Sequence, residues 1–169
     1  MSSRDRDALI DRIGIAIMRW QDSTQAFDEA VGEKLELGSA ERHCLSLLHE
    51  GPKTAGAIAK AVALTPAAVT AMIDRLEMRG LVARQRSEQD RRQVKVVLTD
   101  LAMTMAMKFY GPIAKEGAAM LEAMPTAELE TVEKFMSQAL ALQQRETERI
   151  RTMSGRLPAA SRVKGNRRG

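Results

Sequence analysis

Apolar residues recur through most of this chain at intervals of three, four or seven positions, the spacing of one face of an α-helix. In the first part of the chain this recurrence predicts a long amphipathic helix over residues 7–35, with Gly14 tolerated inside it. Five further helices are predicted, over residues 39–48, 54–62, 66–79, 99–124 and 125–152. The chain is therefore expected to be mainly helical.

Local signals place several of the helix boundaries. Ser39, Thr54 and Thr99 each precede an apolar recurrence and are expected to cap the helix that follows. Thr65-Pro66 combines a hydroxyl acceptor at the N-cap with a proline at the first helical position, where no N–H is missed. Gly80 is expected to end the fourth helix as its C′ residue.

Residues 81–86 and 93–98 predict the two strands of a β-hairpin. Val94, Val96 and Leu98 are two residues apart along the chain and are expected on one face. The hairpin tip between the strands is highly charged. The predicted fold class is thus mainly α with a small β-hairpin, an α+β arrangement of six helices.

Composition excludes several classes of protein. The chain has 169 residues, 44% hydrophobic and 28% charged, which suits a globular domain with a normal core. No apolar run approaches the roughly 20 residues of a membrane span, and the charged N-terminus lacks a secretory signal. Its single cysteine, Cys44, excludes an intrachain disulfide and a multi-cysteine metal site. We expect a cytoplasmic protein without membrane contact, metal or cofactor, and with no enzymatic triad.

Net positive charge is confined to two regions of the chain. Residues 1–50 carry a balance of −4 and residues 96–155 a balance of −2. Residues 51–95 carry +5, as does the acid-free tail, residues 156–169. This asymmetry is typical of a polyanion-binding lobe mounted on a scaffold that does not bind. Residues 154–169 have no apolar period and are expected to be a basic tail, disordered in isolation.

Residues 54–79 have the parts of a helix-turn-helix: a short helix, a turn near Ala63-Leu64, and a second helix with small residues in its first turn. Small residues let a backbone approach base edges, and threonine can bond phosphates or meet a thymine methyl. An Ala-rich core helix with incidental threonines explains this segment equally well. The candidate DNA-contacting residues here are Thr54, Thr65, Pro66, Ala67, Ala68, Thr70, Arg75 and Arg79.

The hairpin adds a second candidate contact. Asp90 can hold Arg91 or Arg92 extended, and an arginine held in that way can enter the narrow minor groove of an A·T-rich flank. Arg84 and Arg86 on the first strand are placed for phosphates. The alternative is an ordinary solvated turn with internal ion pairs of little energetic value.

These motifs together resemble the core signature of the MarR family of winged-helix regulators. The resemblance rests on residues 69–84 (VTAMIDRLEMRGLVAR), on Asp90-Arg91-Arg92 and on residues 96–99 (VVLT), and it covers about residues 39–99. One departure is Ala102, where many members have glycine.

The resemblance implies a homodimer whose terminal helices intertwine, with two winged helix-turn-helix lobes on a pseudo-palindromic duplex operator. Residues 1–153 would form one MarR-like domain, with 39–99 as the DNA-binding lobe and 7–35 and 100–152 as dimerisation helices. Thr65 to Thr70 would lie in the major groove, and Arg92, oriented by Asp90, would be the wing arginine. The apolar faces of the first, fifth and sixth helices independently favour dimerisation, since they exceed what the small lobe could cover.

The function expected from this resemblance is transcriptional regulation, commonly repression relieved by a small, often aromatic, effector. Candidate effector contacts are Trp20, His43, Met107 and Tyr110, although methionine at helical spacing is more often plain core. Two alternatives stay open: a helical scaffold protein that never contacts DNA, and a regulator that senses oxidants through Cys44. The position of Cys44 in an apolar face favours an inert, buried thiol.

Overall fold

A computed structural model of the chain describes residues 2–86 and 93–153, which form six helices and three strands. The elements in chain order are α1 Ser3–Leu35, α2 Ser39–His49, β1 Lys53–Thr54, α3 Ala55–Val62, α4 Pro66–Met78, β2 Val82–Arg86, β3 Val94–Leu98, α5 Asp100–Glu122 and α6 Thr126–Thr152. The predicted fold class, six helices with a small β-hairpin, is confirmed. The described residues divide into two compact units between Ala114 and Lys115, and α5 belongs partly to each.

The hydrophobic core of the first unit gathers α2, α3, α4 and the sheet. Val69, Met72, Ile73 and Leu76 of α4 are buried on one face. Side chains from the other elements and from the loops between them complete this cluster: Leu37, Cys44, Leu48, Ile58, Leu81, Val82, Val96 and Ala102. One face of α4 is therefore fixed by packing, which leaves its opposite face for contact with another molecule.

The sheet has three antiparallel strands in the order β1-β3-β2. The hairpin strands pair as predicted, with Arg84 opposite Val96 and Arg86 opposite Val94. Only Val96 of the predicted apolar face is fully buried, because Val94 lies at the outer end of the hairpin, beyond the core, and is exposed. Strand β1 was not predicted, since two residues are too few to show a period.

Most of the predicted caps are confirmed. Thr54, Thr65 and Thr99 each accept a hydrogen bond through Oγ1 from the N–H three residues later, at 3.2–3.3 Å. Gly80 follows α4 with φ +69°, a left-handed conformation that glycine adopts without strain. The Thr99 hydroxyl donates to the Gly80 carbonyl at 2.6 Å, which joins the end of α4 to the start of α5.

The cap of α2 and the start of α1 differ from the prediction. The N-cap of α2 is Gly38 and not Ser39, because the Glu41 carboxylate accepts the Gly38 N–H at 2.9 Å and Ser39 is already helical. Helix α1 starts at Ser3, four residues earlier than predicted, because Ser2 and Asp5 bond each other reciprocally as a capping box.

In the second unit the described residues are the end of α5 and the whole of α6. No residue of α6 is buried, and Phe135, Met136, Leu140 and Leu142 are exposed.

Helix α5 continues through Pro112 instead of ending there. Among the described residues, no single helix is long and apolar enough to span a membrane, and the one pair that passes jointly, α3 and α4, is bent by 107°.

Candidate nucleic-acid interface

Helices α3 and α4 form the angular pair that a helix-turn-helix requires. Their axes differ by 107°, within the usual range for this motif. The turn is made by Ala63, whose positive φ of 54° ends α3, followed by the Thr65 cap of α4. The start of α4 therefore points away from α3 and is accessible from outside the lobe.

The first turn of α4 presents only small side chains. Thr65, Pro66, Ala67, Ala68 and Thr70 are all exposed, whereas Val69 between them is buried against the core. The sequence prediction that these residues lie together on one accessible turn agrees with this arrangement. A surface so shallow allows the helix backbone to approach a partner closely.

The two threonines of this turn differ in hydrogen-bonding capacity. The Thr65 hydroxyl accepts from the Ala68 N–H at 3.3 Å, so its own proton stays available for an acceptor such as a phosphate oxygen. The Thr70 hydroxyl donates its proton to the Pro66 carbonyl at 3.0 Å. Thr70 therefore presents a methyl group and oxygen lone pairs, a combination that suits a thymine methyl or a base amino group.

In the part of the chain that the structure describes, three of the predicted DNA-contacting arginines are bonded to groups of their own chain; one lies on α4 and one is its C-cap residue. Arg75 Nε pairs with Glu41 Oε1 at 3.3 Å. Arg79 donates to the carbonyls of Leu35 and Glu36 at the end of α1, at 2.5 and 2.9 Å. These contacts join α4 to α1 and α2.

The third, Arg84 of β2, lies between two carboxylates of α4. Its guanidinium pairs with Asp74 at 2.6 Å and also with Glu77, whose other oxygen accepts the Arg84 backbone N–H at 3.1 Å. Hydrogen bonding to Asp74, and secondarily to Glu77, raises the pKa of Arg84. The contact joins the hairpin to the helix before it, and sequence spacing gave no sign of it because the partners lie on different elements.

The hairpin carries the remaining candidates toward its tip. Arg86 is exposed at the last position of β2. Thr54 lies in β1 opposite Lys95 of β3, half-buried, with its side chain already capping α3. The predicted wing residues Asp90, Arg91 and Arg92 lie outside the described residues.

The four candidate effector contacts lie in the first unit and are all exposed. Trp20 and Met107 are 58% and 68% exposed, and His43 is exposed on α2. Tyr110 makes specific contacts with another helix: its hydroxyl donates to Asp28 at 3.0 Å, and its ring meets Phe27 edge-on at 5.4 Å. Partial burial and the bond to Asp28 raise the pKa of Tyr110. The four side chains therefore do not form an enclosed pocket within one chain.

Cys44 is fully buried in the core, as predicted. Burial, with a smaller contribution from the Glu41 carboxylate, raises the pKa of its thiol to about 11. The thiol is therefore almost entirely protonated at neutral pH, which disfavours reaction with oxidants.

Among residues 2–86 and 93–153 no group of three or more histidine, cysteine, aspartate or glutamate side chains is arranged to hold a metal ion.

Residues 37–94, which comprise α2 to the start of β3, match the sequence model of the MarR family. The chain contains a MarR-family domain. The predicted resemblance is thereby confirmed, and the MarR family consists of DNA-binding transcriptional regulators rather than enzymes. The elements that match are those that expose the first turn of α4 and carry the hairpin.

Known proteins similar to this chain are consistent with its MarR-family domain. YcgE, an HTH-type transcriptional regulator of Bacillus subtilis strain 168, is 28% identical over 153 residues, which cover 89% of this chain and 99% of YcgE. A mutant of MepR from a multidrug-resistant clinical isolate of S. aureus has a similar fold, with a TM-score of 0.60 and 18% identity over 78% of this chain and 96% of MepR. A different MepR mutant, solved bound to an oligodeoxyribonucleotide, gives a TM-score of 0.50 and 21% identity over 78% of this chain and 97% of MepR.

Proposed function

We propose that this chain is a homodimeric, sequence-specific repressor that binds a pseudo-palindromic duplex operator in the cytoplasm and is released from it by a small effector. Residues 1–153 act as one MarR-like domain, in which 39–99 contact DNA and 7–35 and 100–152 form the dimer. The observation that carries the proposal is the exposed first turn of α4, where every outward side chain is small.

The proposal assigns the first turn of α4 to the major groove. The Thr65 hydroxyl donates to a backbone phosphate, and the Thr70 methyl contacts a base edge, while Pro66, Ala67 and Ala68 allow the close approach. Arg86 and Thr54, which are on the hairpin and beside α3, contact the sugar-phosphate backbone of the DNA next to this groove. Arg92, oriented by Asp90 and next to Arg91, enters the neighbouring minor groove. The DNA complex of a MepR mutant supports this mode of binding by likeness of fold.

The proposed dimer is supported by apolar surface that one chain leaves uncovered. Leu9, Ile13 and Trp20 recur along α1 at helical spacing and are each more than a third exposed. In the second unit Phe135 and Leu142 of α6 are exposed in the same way. Exposure of so many large apolar side chains to water is unfavourable in free energy, and the pairing of two chains would bury them. Two lobes about one helical turn apart, roughly 34 Å, then contact successive grooves.

The proposed effector site includes Trp20, His43, Met107 and Tyr110, with aromatic compounds as the first class to test. These side chains are open in one chain, so the proposal requires the partner chain to close the site. The alternative that the regulator senses oxidants through Cys44 is disfavoured, because this thiol is buried and its pKa is raised.

Selection of duplexes from a randomised pool, followed by binding at several salt concentrations, tests the proposal. We expect enrichment of a sequence with two inverted half-sites, a steep loss of affinity with rising salt, and a dimer by sedimentation. A monomer at micromolar concentration, or a pool that stays unenriched, would contradict it.

A further inference from the structure

The C-terminal end of α1 is held by arginines from two other helices. Arg79, the C-cap residue of α4, donates to the carbonyls of Leu35 and Glu36, at 2.5 and 2.9 Å. Arg42 of α2 donates to the next carbonyl, that of Leu37, at 2.9 Å. Three consecutive carbonyls at this helix end are therefore bound by side chains of the DNA-binding lobe.

Elementary helix chemistry explains why arginine binds at this place. The last carbonyls of a helix have no intrahelical partner and carry a partial negative charge. Here Glu36 adopts a left-handed conformation, and the Leu37 N–H bonds back to the Gly32 carbonyl at 2.8 Å. That backbone bond satisfies an earlier carbonyl, and the carbonyl of the last helical residue is left to Arg79. A planar guanidinium with several N–H groups can reach two neighbouring oxygens at once.

A second contact, one turn earlier on α4, points to the same role. Arg75 pairs with Glu41, whose side chain is only 14% exposed. The other oxygen of Glu41 accepts the Gly38 N–H at the start of α2. Arg75 and Arg79 are four residues apart and therefore lie on one face of α4, so this face is tied both to the end of α1 and to the start of α2.

The position of Arg79 separates it from the proposed base contacts. It follows Thr65 by 14 residues, which at 1.5 Å per residue is roughly 21 Å along the helix axis. With the first turn of α4 in the major groove, the bonded guanidinium of Arg79 lies at the far end of the helix.

We propose that Arg79 is a positioning residue: it fixes α4 relative to α1, and through α1 it sets the separation at which the two lobes of the dimer engage their half-sites. This revises the sequence prediction that Arg79 contacts DNA, and it rests on the proposed function. Arg79 then contributes to operator affinity without neutralising a phosphate.

The salt dependence of binding distinguishes positioning from phosphate contact. The probe is the duplex that the wild-type protein selects from a randomised pool, together with versions in which one or two base pairs are added between the half-sites. We expect Arg79→Ala to bind the selected duplex about tenfold more weakly, because the binding-competent orientation is less populated. Its salt slope should equal that of the wild type, and its penalty for altered spacing should be smaller.

Arg86→Ala is the matched control, since Arg86 is exposed at the end of β2 and is assigned to a phosphate. Removing one phosphate contact from each lobe lowers the salt slope by about 1.8 in the dimer. The spacing preference of this control should match the wild type. Arg79→Lys keeps the charge but loses the planar fork, so we expect it to behave as Arg79→Ala does; it also serves if the alanine variant fails to fold.

The opposite pattern would overturn the proposal. A reduced salt slope for Arg79→Ala, with full affinity in Arg79→Lys, would make Arg79 a phosphate contact. Wild-type affinity and spacing preference in both variants would remove any positioning role. A wild-type protein that enriches no duplex would instead overturn the proposed function itself, and this inference with it.

Discussion

Thr70 provides a test of how the proposed recognition helix contacts bases. Its hydroxyl proton is bonded to the Pro66 carbonyl at 3.0 Å, and its side chain is exposed. The methyl group and the oxygen lone pairs are left to contact a base edge, and the proposed function assigns the contact to the methyl group. We expect Thr70→Val, which keeps a methyl and removes the hydroxyl, to bind the selected duplex as the wild type does. The Pro66 carbonyl can still accept its helical N–H bond, so little stability should be lost.

Thr70→Ser removes the methyl and keeps the hydroxyl. Burial of one methyl group against a thymine methyl stabilises the complex by about 0.8 kcal/mol, and two lobes double this to about 1.6 kcal/mol. That difference corresponds to roughly 15-fold weaker binding by the serine variant. Fluorescence anisotropy with a labelled duplex at fixed salt measures it directly.

Replacement of individual thymines by uracil in the duplex identifies the partner, since uracil lacks only the methyl group. At the contacted position, uracil should weaken the wild type about as much as Thr70→Ser does, and it should not weaken the serine variant further. The reasoning would be refuted if Thr70→Val bound more weakly than Thr70→Ser, because the hydroxyl would then make the contact.

Three other substitutions or treatments have definite expected outcomes. Arg92→Ala should weaken operator binding at least tenfold, since each lobe loses one arginine contact of about 1–3 kcal/mol, while sedimentation still shows a dimer; equal affinity would remove the wing from the mechanism. Gly80→Ala should lower the free energy of unfolding by about 1 kcal/mol because φ is +69°. Gly56→Ala, where an added Cβ meets nothing within 4 Å, should raise it by about 0.5 kcal/mol. Denaturant titration compares the two variants, and equal effects would be inconsistent with strain at Gly80. The Cys44 thiol, with its pKa raised to about 11 from 9.0, should resist iodoacetamide in the folded protein at pH 7. The free energy of unfolding should fall between about pH 9 and 11, because the thiol of the unfolded chain ionises first. Rapid labelling at pH 7, detected by mass spectrometry, would contradict the buried position.

Boundaries signalled by a few adjacent residues could be predicted from the sequence. Thr65-Pro66 and Gly80 bound α4 in the structure as the residues indicate, because a hydroxyl acceptor, a missing N–H and a positive φ are local requirements. The α2 cap was wrong by one position because Glu41 closes on the Gly38 N–H, a contact that leaves Ser39 inside the helix. Strand β1 is held by its pairing with β3, so its own two residues carry no signal.

The partners of the arginines could not be predicted in this way. Arg79 bonds carbonyls that precede it by 43 and 44 residues, and any residue type supplies a carbonyl. Arg75 pairs with Glu41 across 34 residues. Only the folded arrangement of α1, α2 and α4 brings these groups together. For the same reason the basic residues of the central segment looked alike in the sequence, although they differ in their surroundings.

This difference changes what the charge of the central segment means for binding. Residues 51–95 contain nine basic residues. Among the residues that the structure describes, four of them are bonded to groups of the chain itself: Lys53, Arg75, Arg79 and Arg84. The remaining five are Lys60, Arg86, Arg91, Arg92 and Lys95. If each of the five neutralises one phosphate in both lobes, the salt slope contributed by this segment is at most about 9, whereas nine residues would give about 16. The bonded arginines hold the recognition helix in place, so the measured slope should follow the smaller set even though the larger one determines the net charge.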